Sequence, residues 1–437
     1  MSGPDLPSHR LTRRRLIVLT AMSAAAVPLG AAWWPSSAAA DEEADAYQQA
    51  FERTLAEDQD VRLYGERGRE FLYRPRQLLV ADRDVKAVLE RLRRDGHEVI
   101  VRGAFAGVTR LVFAREVDVP AIVAKLRDPE QWPGRPVPAV QPHHVLVGFG
   151  NIMGNPGSPP GPAGPLPAPD PKRAGEGAGV TVGVCDTGIW PDAGVYHPDW
   201  LGGSYLPEVD DEDALYLYDD VLALQGGHGT FVAGVVRQAA PGVRVDPEQA
   251  LSPTGVGDEA SVVAALGRLG SDVSIVNLSL GCFTQGDVPS LPLANAVAAL
   301  PKGVIAVAAA GNAGTDRPAW PAALESVIAV AAVSPATGDA ADPVVPAPYS
   351  GYGSWVDACA LGLRVSTYVK GRLLLPGLPE REFDGFASWA GTSFATAHVA
   401  GWLATWMSST GGDAEAARAA LLAQPVWHPD FGVLVAG

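Results

Sequence analysis

The chain has 437 residues, of which 47% are hydrophobic and 19% charged. This composition excludes a disordered, collagen-like or coiled-coil chain, and the length allows about three domains of roughly 150 residues. Lys and Arg total 33 against 49 Asp and Glu, a formal net charge of -16 that excludes a general nucleic-acid-binding surface.

The acidity is uneven. Residues 180 to 437 carry 10 Lys/Arg against 27 Asp/Glu, a net of -17, whereas residues 41 to 150 carry 17 against 19. Cys185, Cys282 and Cys359 are too few and too scattered for a disulfide framework, and no Cys/His spacing suggests zinc. One disulfide plus a free thiol and three buried thiols both remain open, and no metal ligand is assigned.

Residues 1–40 read as an export signal. HRLTRRR (9–15) is followed by the uncharged, Ala-rich stretch Leu16 to Trp34, then by Ala38 and Ala40 in A-x-A spacing before Asp41. Pro28, Gly30 and the alanines make a poor spanning helix. TRRRLI resembles a twin-arginine signal, which implies export of a folded protein. The cleaved protein is therefore expected outside the cytoplasm, with no membrane contact.

Residues 41–149 form the next unit. From Asp41 to about Tyr73 the chain is polar and acidic, with a helical look and no assigned chemistry. QLLVA (77–81) then reads as a strand. Val85, Val88, Leu89 and Leu92 fall at helical spacing before Asp95-Gly96. HEVIVR (97–102) and VTRLVFA (108–114) are strands. Asp118 and Pro120 open a second helix, and VPAVQPHHVLVG (137–148) ends in another strand. The order β-α-β-β-α-β matches the ferredoxin-like motif. Residues 150–178 are a Pro/Gly tract, read as an exposed, cleavable linker that holds no single conformation. GFGNIMG (148–154) has the wrong spacing for a dinucleotide loop.

From 179 to 437 short apolar strands alternate with Ala/Gly-rich helical stretches, an α/β pattern that implies a parallel sheet buried on both faces. Sites in such sheets lie at the carboxyl ends of the strands. Asp186 directly follows GVTVGVC. His228, in GGHGTFVAG, opens a helix, and Ser393, in AGTSFATAHVAG, opens another whose free N–H groups favour negative charge. The chain order Asp, His, Ser is that of the subtilisin type of triad. Asn312, in AAAGNAG after a buried strand, is suited to donate to the oxyanion of a tetrahedral intermediate.

These motifs together resemble the subtilisin-like serine proteases over residues 178 to 437: CDTGI, GHGTFVAG, VNLSLG, AAAGNAG and GTSFATAHVAG occur in the family's order. The resemblance implies a subtilisin-like parallel sheet flanked by helices and preceded by a small ferredoxin-like propeptide domain. It implies a secreted serine endopeptidase in which Asp186 orients His228, His228 takes the proton of Ser393, and Asn312 with the Ser393 N–H forms the oxyanion hole. Ser279, Leu280 and Gly281 would line an exposed edge on which an extended polypeptide substrate adds as a strand. Residues near 143 to 150 of the propeptide, acting as an intramolecular inhibitor, would fill the cleft.

Three positions depart from the family's pattern: Phe231 where HGTH is commoner, Ala397 in place of a proline, and Leu361 in place of another. No cofactor is expected and the protein reads as a monomer. The acidic run Glu208 to Asp220 lacks EF-hand spacing and is taken as a solvated loop, with calcium as its alternative. His197 and His398 are read as structural, His143 and His144 as propeptide residues with pH sensing only as the minor alternative, Cys185 as a core residue facing away from Asp186, and Cys282 as a thiol beside the substrate strand.

Overall fold

A computed structural model describes residues 37–148, 158–205, 208, 212–336 and 343–436. The export signal thus lies almost wholly outside the described residues. None of the described helices is long and apolar enough to cross a membrane.

The parallel sheet expected from residue 179 onward is present. Seven strands run parallel in the order Arg244–Gln249, Thr181–Asp186, Val273–Leu278, Ile305–Ala309, Val327–Pro335, Ala358–Leu361 and Gly432–Leu434. Alternation along each strand divides the side chains between two layers. Val182, Val184, Ile275, Val307 and Ile328 pack with Val232, Val236, Val399 and Leu403 of the helices His228–Ala239 and Thr392–Thr410. Cys185, Val276, Leu278, Ala306 and Ala308 pack with Val262, Leu266, Leu293 and Val297 of the helices Glu259–Arg268 and Leu291–Ala298. Both faces are therefore covered, as near-continuous apolar strands require.

In the amino-terminal region the strands Phe71–Ala81, Val99–Phe105, Val108–Phe113 and Val140–Val147 alternate with helices Val85–Arg94 and Val119–Leu126 in the order β-α-β-β-α-β. The sheet order is 140–147, 71–81, 108–113, 99–105, all antiparallel. Asp118 caps the second helix by accepting from Ala121 N–H. Leu78, Val80, Val88, Leu92, Leu111 and Val123 form its core. Before it runs the helix Ser37–Glu57, whose Ala46, Tyr47 and Phe51 are buried in the larger core of the α/β region.

A third sheet was not legible in the sequence: a long hairpin, Leu363–Leu373 with Arg381–Ala390, joined by short strands including Gly161–Pro162. At residues 161–163 that pairing departs from the reading of 150–178 as a linker without fixed conformation; residues 150–157 lie outside the described residues. Gly161 and Pro162 meet Ser388 and Ala387, and Ala163 N–H donates to Phe386 O at 3.2 Å. The open edge of the hairpin supplies backbone partners that composition alone does not reveal.

Candidate active site

Asp186 is the last residue of its strand and is wholly buried. Its Oδ1 accepts from the Thr187 N–H at 2.8 Å and lies 2.6 Å from His228 Nδ1. A carboxylate can only accept, so the imidazole proton sits on Nδ1 and Nε2 is left as the basic nitrogen. His228 begins its helix directly after Gly227, whose left-handed φ of 83° turns the chain into the first turn.

Ser393 is the second residue of the helix Thr392–Thr410, where backbone N–H groups have no intrahelical acceptor. It is 2% exposed. Its Oγ donates to the Ser279 carbonyl at 3.4 Å, and among the described residues no hydrogen bond joins it to His228. The helices that carry them pack together at this point: the ring of Phe394, next to the serine, is 5.4 Å from the His228 ring, and Trp389 stands edge-on to His228 at 5.1 Å. Hydrogen bonds between base and nucleophile often tighten only when substrate is bound.

Asn312 follows the strand Ile305–Ala309 and is held through its carbonyl oxygen. Oδ1 accepts from both the N–H and the hydroxyl of Thr392, each at 2.9 Å. Those bonds fix which end of the amide is Nδ2, the donor. Thr392 Oγ1 accepts in turn from Gly311 N–H at 3.1 Å.

Ser279, Leu280 and Gly281 follow the strand Val273–Leu278. Ser279 Oγ donates to the Ser393 carbonyl at 3.0 Å and accepts from Asn277 Nδ2 at 2.9 Å. That edge is occupied by the chain's own backbone. Gly281 exchanges both hydrogen bonds with Val147, at 3.0 and 3.1 Å, and Leu280 is wholly buried. On its other side the same segment pairs antiparallel with Val256–Asp258, and Gly148 N–H donates to Gly255 O at 2.9 Å.

Phe231, where a histidine is commoner, is wholly buried among Phe394, Trp389 and Tyr368, with ring separations of 4.4, 5.8 and 6.4 Å. This aromatic cluster joins the helix of His228 to the helix of Ser393. Ala397 is likewise wholly buried against that layer.

Asp213 departs from the solvated reading of the acidic run, whose Glu208, Glu212, Asp219 and Asp220 are exposed; residues 206, 207 and 209–211 of that run lie outside the described residues. Asp213 Oδ2 accepts from Thr187 Oγ1 at 2.7 Å and Gly227 N–H at 2.8 Å, and Oδ1 from Leu215 N–H at 3.0 Å. It thereby ties the residue after Asp186 to the residue before His228. Burial pushes its carboxyl up to about 6, against these three donors and with the charge of Asp186 adding to the rise.

The remaining histidines and thiols lie apart from this chemistry. His197 Nε2 meets Tyr368 O at 2.8 Å, and burial lowers its pKa. His398 meets Ala436 O at 3.3 Å, and burial, with Arg364 adding to the effect, lowers it to about 3. All three cysteines are free and buried, and Cys185 faces the layer away from His228. Burial raises the Cys185 and Cys282 thiols well above their usual range, so neither is a ready nucleophile.

A carboxylate holding an imidazole, beside a serine at a helix start and an anchored amide, all on one rim of a parallel sheet, defines a serine-hydrolase type of site. Residues 177–424 match the sequence model described as the Subtilase family, and the chain belongs to that family. It is 35% identical over 246 residues to the thermophilic serine proteinase of Bacillus sp. (strain AK1), covering 54% of this chain and 53% of that one. It is 33% identical to subtilisin Savinase of Lederbergia lenta, covering 53% and 77%. With thermitase of Thermoactinomyces vulgaris it shares 31% over 270 residues, covering 59% and 84%. The chain thus spans about half the length of the first of these. Among solved structures, fervidolysin from Fervidobacterium pennivorans, described as a keratinolytic enzyme related to subtilisin, shares the fold with a TM-score of 0.56 at 19% identity, covering 83% of this chain and 60% of that one.

Proposed function

We propose that the protein is a secreted serine endopeptidase made as an inactive precursor that processes itself. In this reading Asp186 holds His228 in the Nδ1–H tautomer, and His228 Nε2 takes the Ser393 proton as Oγ attacks a peptide carbonyl. The proton then passes to the leaving amine, and water hydrolyses the acyl-enzyme by the reverse exchange. Asn312 and the Ser393 N–H receive the oxyanion.

The observation that carries the proposal is the position of Val145, Leu146 and Val147. They lie as a strand between Val256–Asp258 and Gly281, the arrangement an extended substrate adopts when main-chain hydrogen bonds bind it. Residues 41–149 are accordingly the propeptide, an inhibitor within the same chain, and residues 1–40 the export signal. Unfolded polypeptide is the substrate, since backbone pairing reads extension rather than sequence.

The test is Ser393→Ala, expressed with its signal. It should accumulate as an uncut precursor that cleaves no denatured protein, while the parent is shortened and takes up a serine-directed phosphonate. A Ser393→Ala variant that matures normally by itself, or a processed parent that takes no label, would refute the reading. Mass spectrometry of the new amino terminus of the parent locates both cuts.

A further inference from the structure

On the amino side of the strand in the cleft, the chain lays two imidazoles against two carboxylates of the α/β region. Glu259 is wholly buried. Its Oε2 accepts from His144 N–H at 2.9 Å, and its Oε1 from Gln141 Nε2 at 2.6 Å, His144 Nδ1 at 3.2 Å and Ser290 Oγ at 2.5 Å. Gln285 N–H donates to His144 Nε2 at 3.2 Å, so the ring proton must sit on Nδ1, facing Glu259. Asp258, the preceding residue, accepts from Arg74 Nε at 3.0 Å. His143 Nε2, wholly buried and without a hydrogen-bond partner, is aimed at Asp258 Oδ1 from 3.5 Å.

Among the described residues, apart from Ser290 and the cap bonds from Ala260 and Ser261, every donor to this pair comes from residues before 149. No Lys or Arg from residues 158–436 forms an ion pair with either carboxylate among the described residues. When the amino-terminal region leaves, Glu259 loses three of its four donors, and Asp258 loses Arg74 and His143. Two adjacent carboxylates then stand beside the path of an extended strand, in a region whose net charge, these two included, is -17.

The register fixes which substrate residue they meet. Val147 pairs antiparallel with Gly281, so a strand on the same path carries, two residues further on, the residue opposite Ser279, whose carbonyl is 3.4 Å from Ser393 Oγ. The place of His144 is therefore five residues before the one opposite Ser279. We propose that Glu259, with the charge of Asp258 beside it, forms an extended subsite of the mature peptidase that selects Lys, Arg or His at this place. The inference rests on the peptidase reading above. A substrate there offers Glu259 the same backbone N–H and a side-chain donor, as His144 does, whereas an acidic side chain meets like charge.

The experiment uses the processed enzyme and three otherwise identical fluorogenic peptides bearing Lys, norleucine or Glu five residues before the residue at the scissile bond. The Lys peptide should show a kcat/KM about fivefold above norleucine at low ionic strength, with Glu the slowest. The spread should shrink as salt is added. In the variant D258N/E259Q, whose Asn keeps the helix cap, the three values should converge to within about twofold. A parent that cleaves all three equally well overturns the subsite and leaves the peptidase reading standing. A parent that cleaves none and takes no phosphonate label refutes both. Should the double variant fail to mature, the parent's own ranking of the peptides, and its response to salt, still decide.

Discussion

Replacing Thr392 by Val tests whether the amide of Asn312 works because it is held. The substitution keeps the shape of a wholly buried side chain and deletes one hydroxyl with two bonds. Asn312 Oδ1 keeps the Thr392 N–H and loses the second of its two anchors from that residue. Gly311 N–H loses its acceptor in a place water does not reach. Stranding a buried donor costs about 1–3 kcal/mol, so the variant should melt several degrees lower. Loss of a whole oxyanion donor in subtilisin itself costs about 10²–10³ in kcat. Loosening the donor rather than removing it should cost part of that, about 5- to 30-fold, corresponding to about 1–2 kcal/mol.

The oxyanion exists only in the transition state, so the loss should fall on kcat and leave KM within about twofold. Steady-state hydrolysis of a chromogenic peptide, with active sites counted by phosphonate titration, separates the two constants. Thr392→Ser, which restores the hydroxyl, should recover most of kcat. A Thr392→Val enzyme with the parent's kcat, alongside an Asn312→Ala enzyme slowed a hundredfold or more, would refute the argument that Thr392 positions the amide.

Phe231→Ala should destabilise by about 3–5 kcal/mol, because the ring fills the junction between the histidine and serine helices; thermal melting measures it, and a loss under about 1 kcal/mol would contradict that packing. Burial raises the Asp213 carboxyl to about 6, so the stability it contributes when protonated is complete below its unfolded value near 4 and is lost as pH rises through 6. Asp213→Asn should flatten that part of the melting profile and lower stability by about 1–3 kcal/mol, since an amide nitrogen would face donors on one side; an unchanged slope between pH 4 and 7 would count against it. Burial works to raise the Asp258 carboxyl, but His143, Arg74 and the helix-cap N–H of Ser261 outweigh it and hold it well below the usual range. Its contribution is therefore present above about pH 4 and fades as pH falls further. Release of the amino-terminal region from the Ser393→Ala protein after a single proteolytic nick, followed by gel filtration, should accelerate below that pH and not above it.

The candidate site residues read from the sequence stand on short local segments. Asp186, His228, Asn312 and Ser393 each stand where an apolar strand ends or a glycine-flanked helix begins, and seven or eight neighbouring residues carry that signal. The hairpin Leu363–Ala390 gave no such signal. Its register shifts between Thr367 and Lys370, and a Pro/Gly-containing turn breaks the alternation a strand reading needs. Yet it contributes Trp389 and Tyr368 to the wall around His228. Asp213 escaped for a different reason. It lies in a run of acidic residues that composition marks as solvated, and its burial depends on donors at Thr187 and Gly227, which the fold alone brings near.

The helix Ser37–Glu57 shows how little apolar surface suffices to seat a segment at the site. Its sequence has no strong apolar stripe; among its described side chains Ala46, Tyr47 and Phe51 enter the core, with Ala50 and Leu55 packed partly against it. Tyr47 and Phe51 are one turn apart on a single face, and Tyr47 adds two hydrogen bonds: its hydroxyl donates to Leu224 O at 2.8 Å and accepts from Gln225 Nε2 at 2.6 Å. Burial raises the Tyr47 phenol, which stays neutral and able to donate. Gln225 stands three residues before His228, and its Oε1 lies 3.2 Å from where a Cβ on Gly148 would be. One glutamine thus bonds the amino-terminal helix and stands near Gly148, just past the strand in the cleft. Tyr47 and Gly148, more than a hundred residues apart in the chain, thus both stand beside the loop that leads into His228.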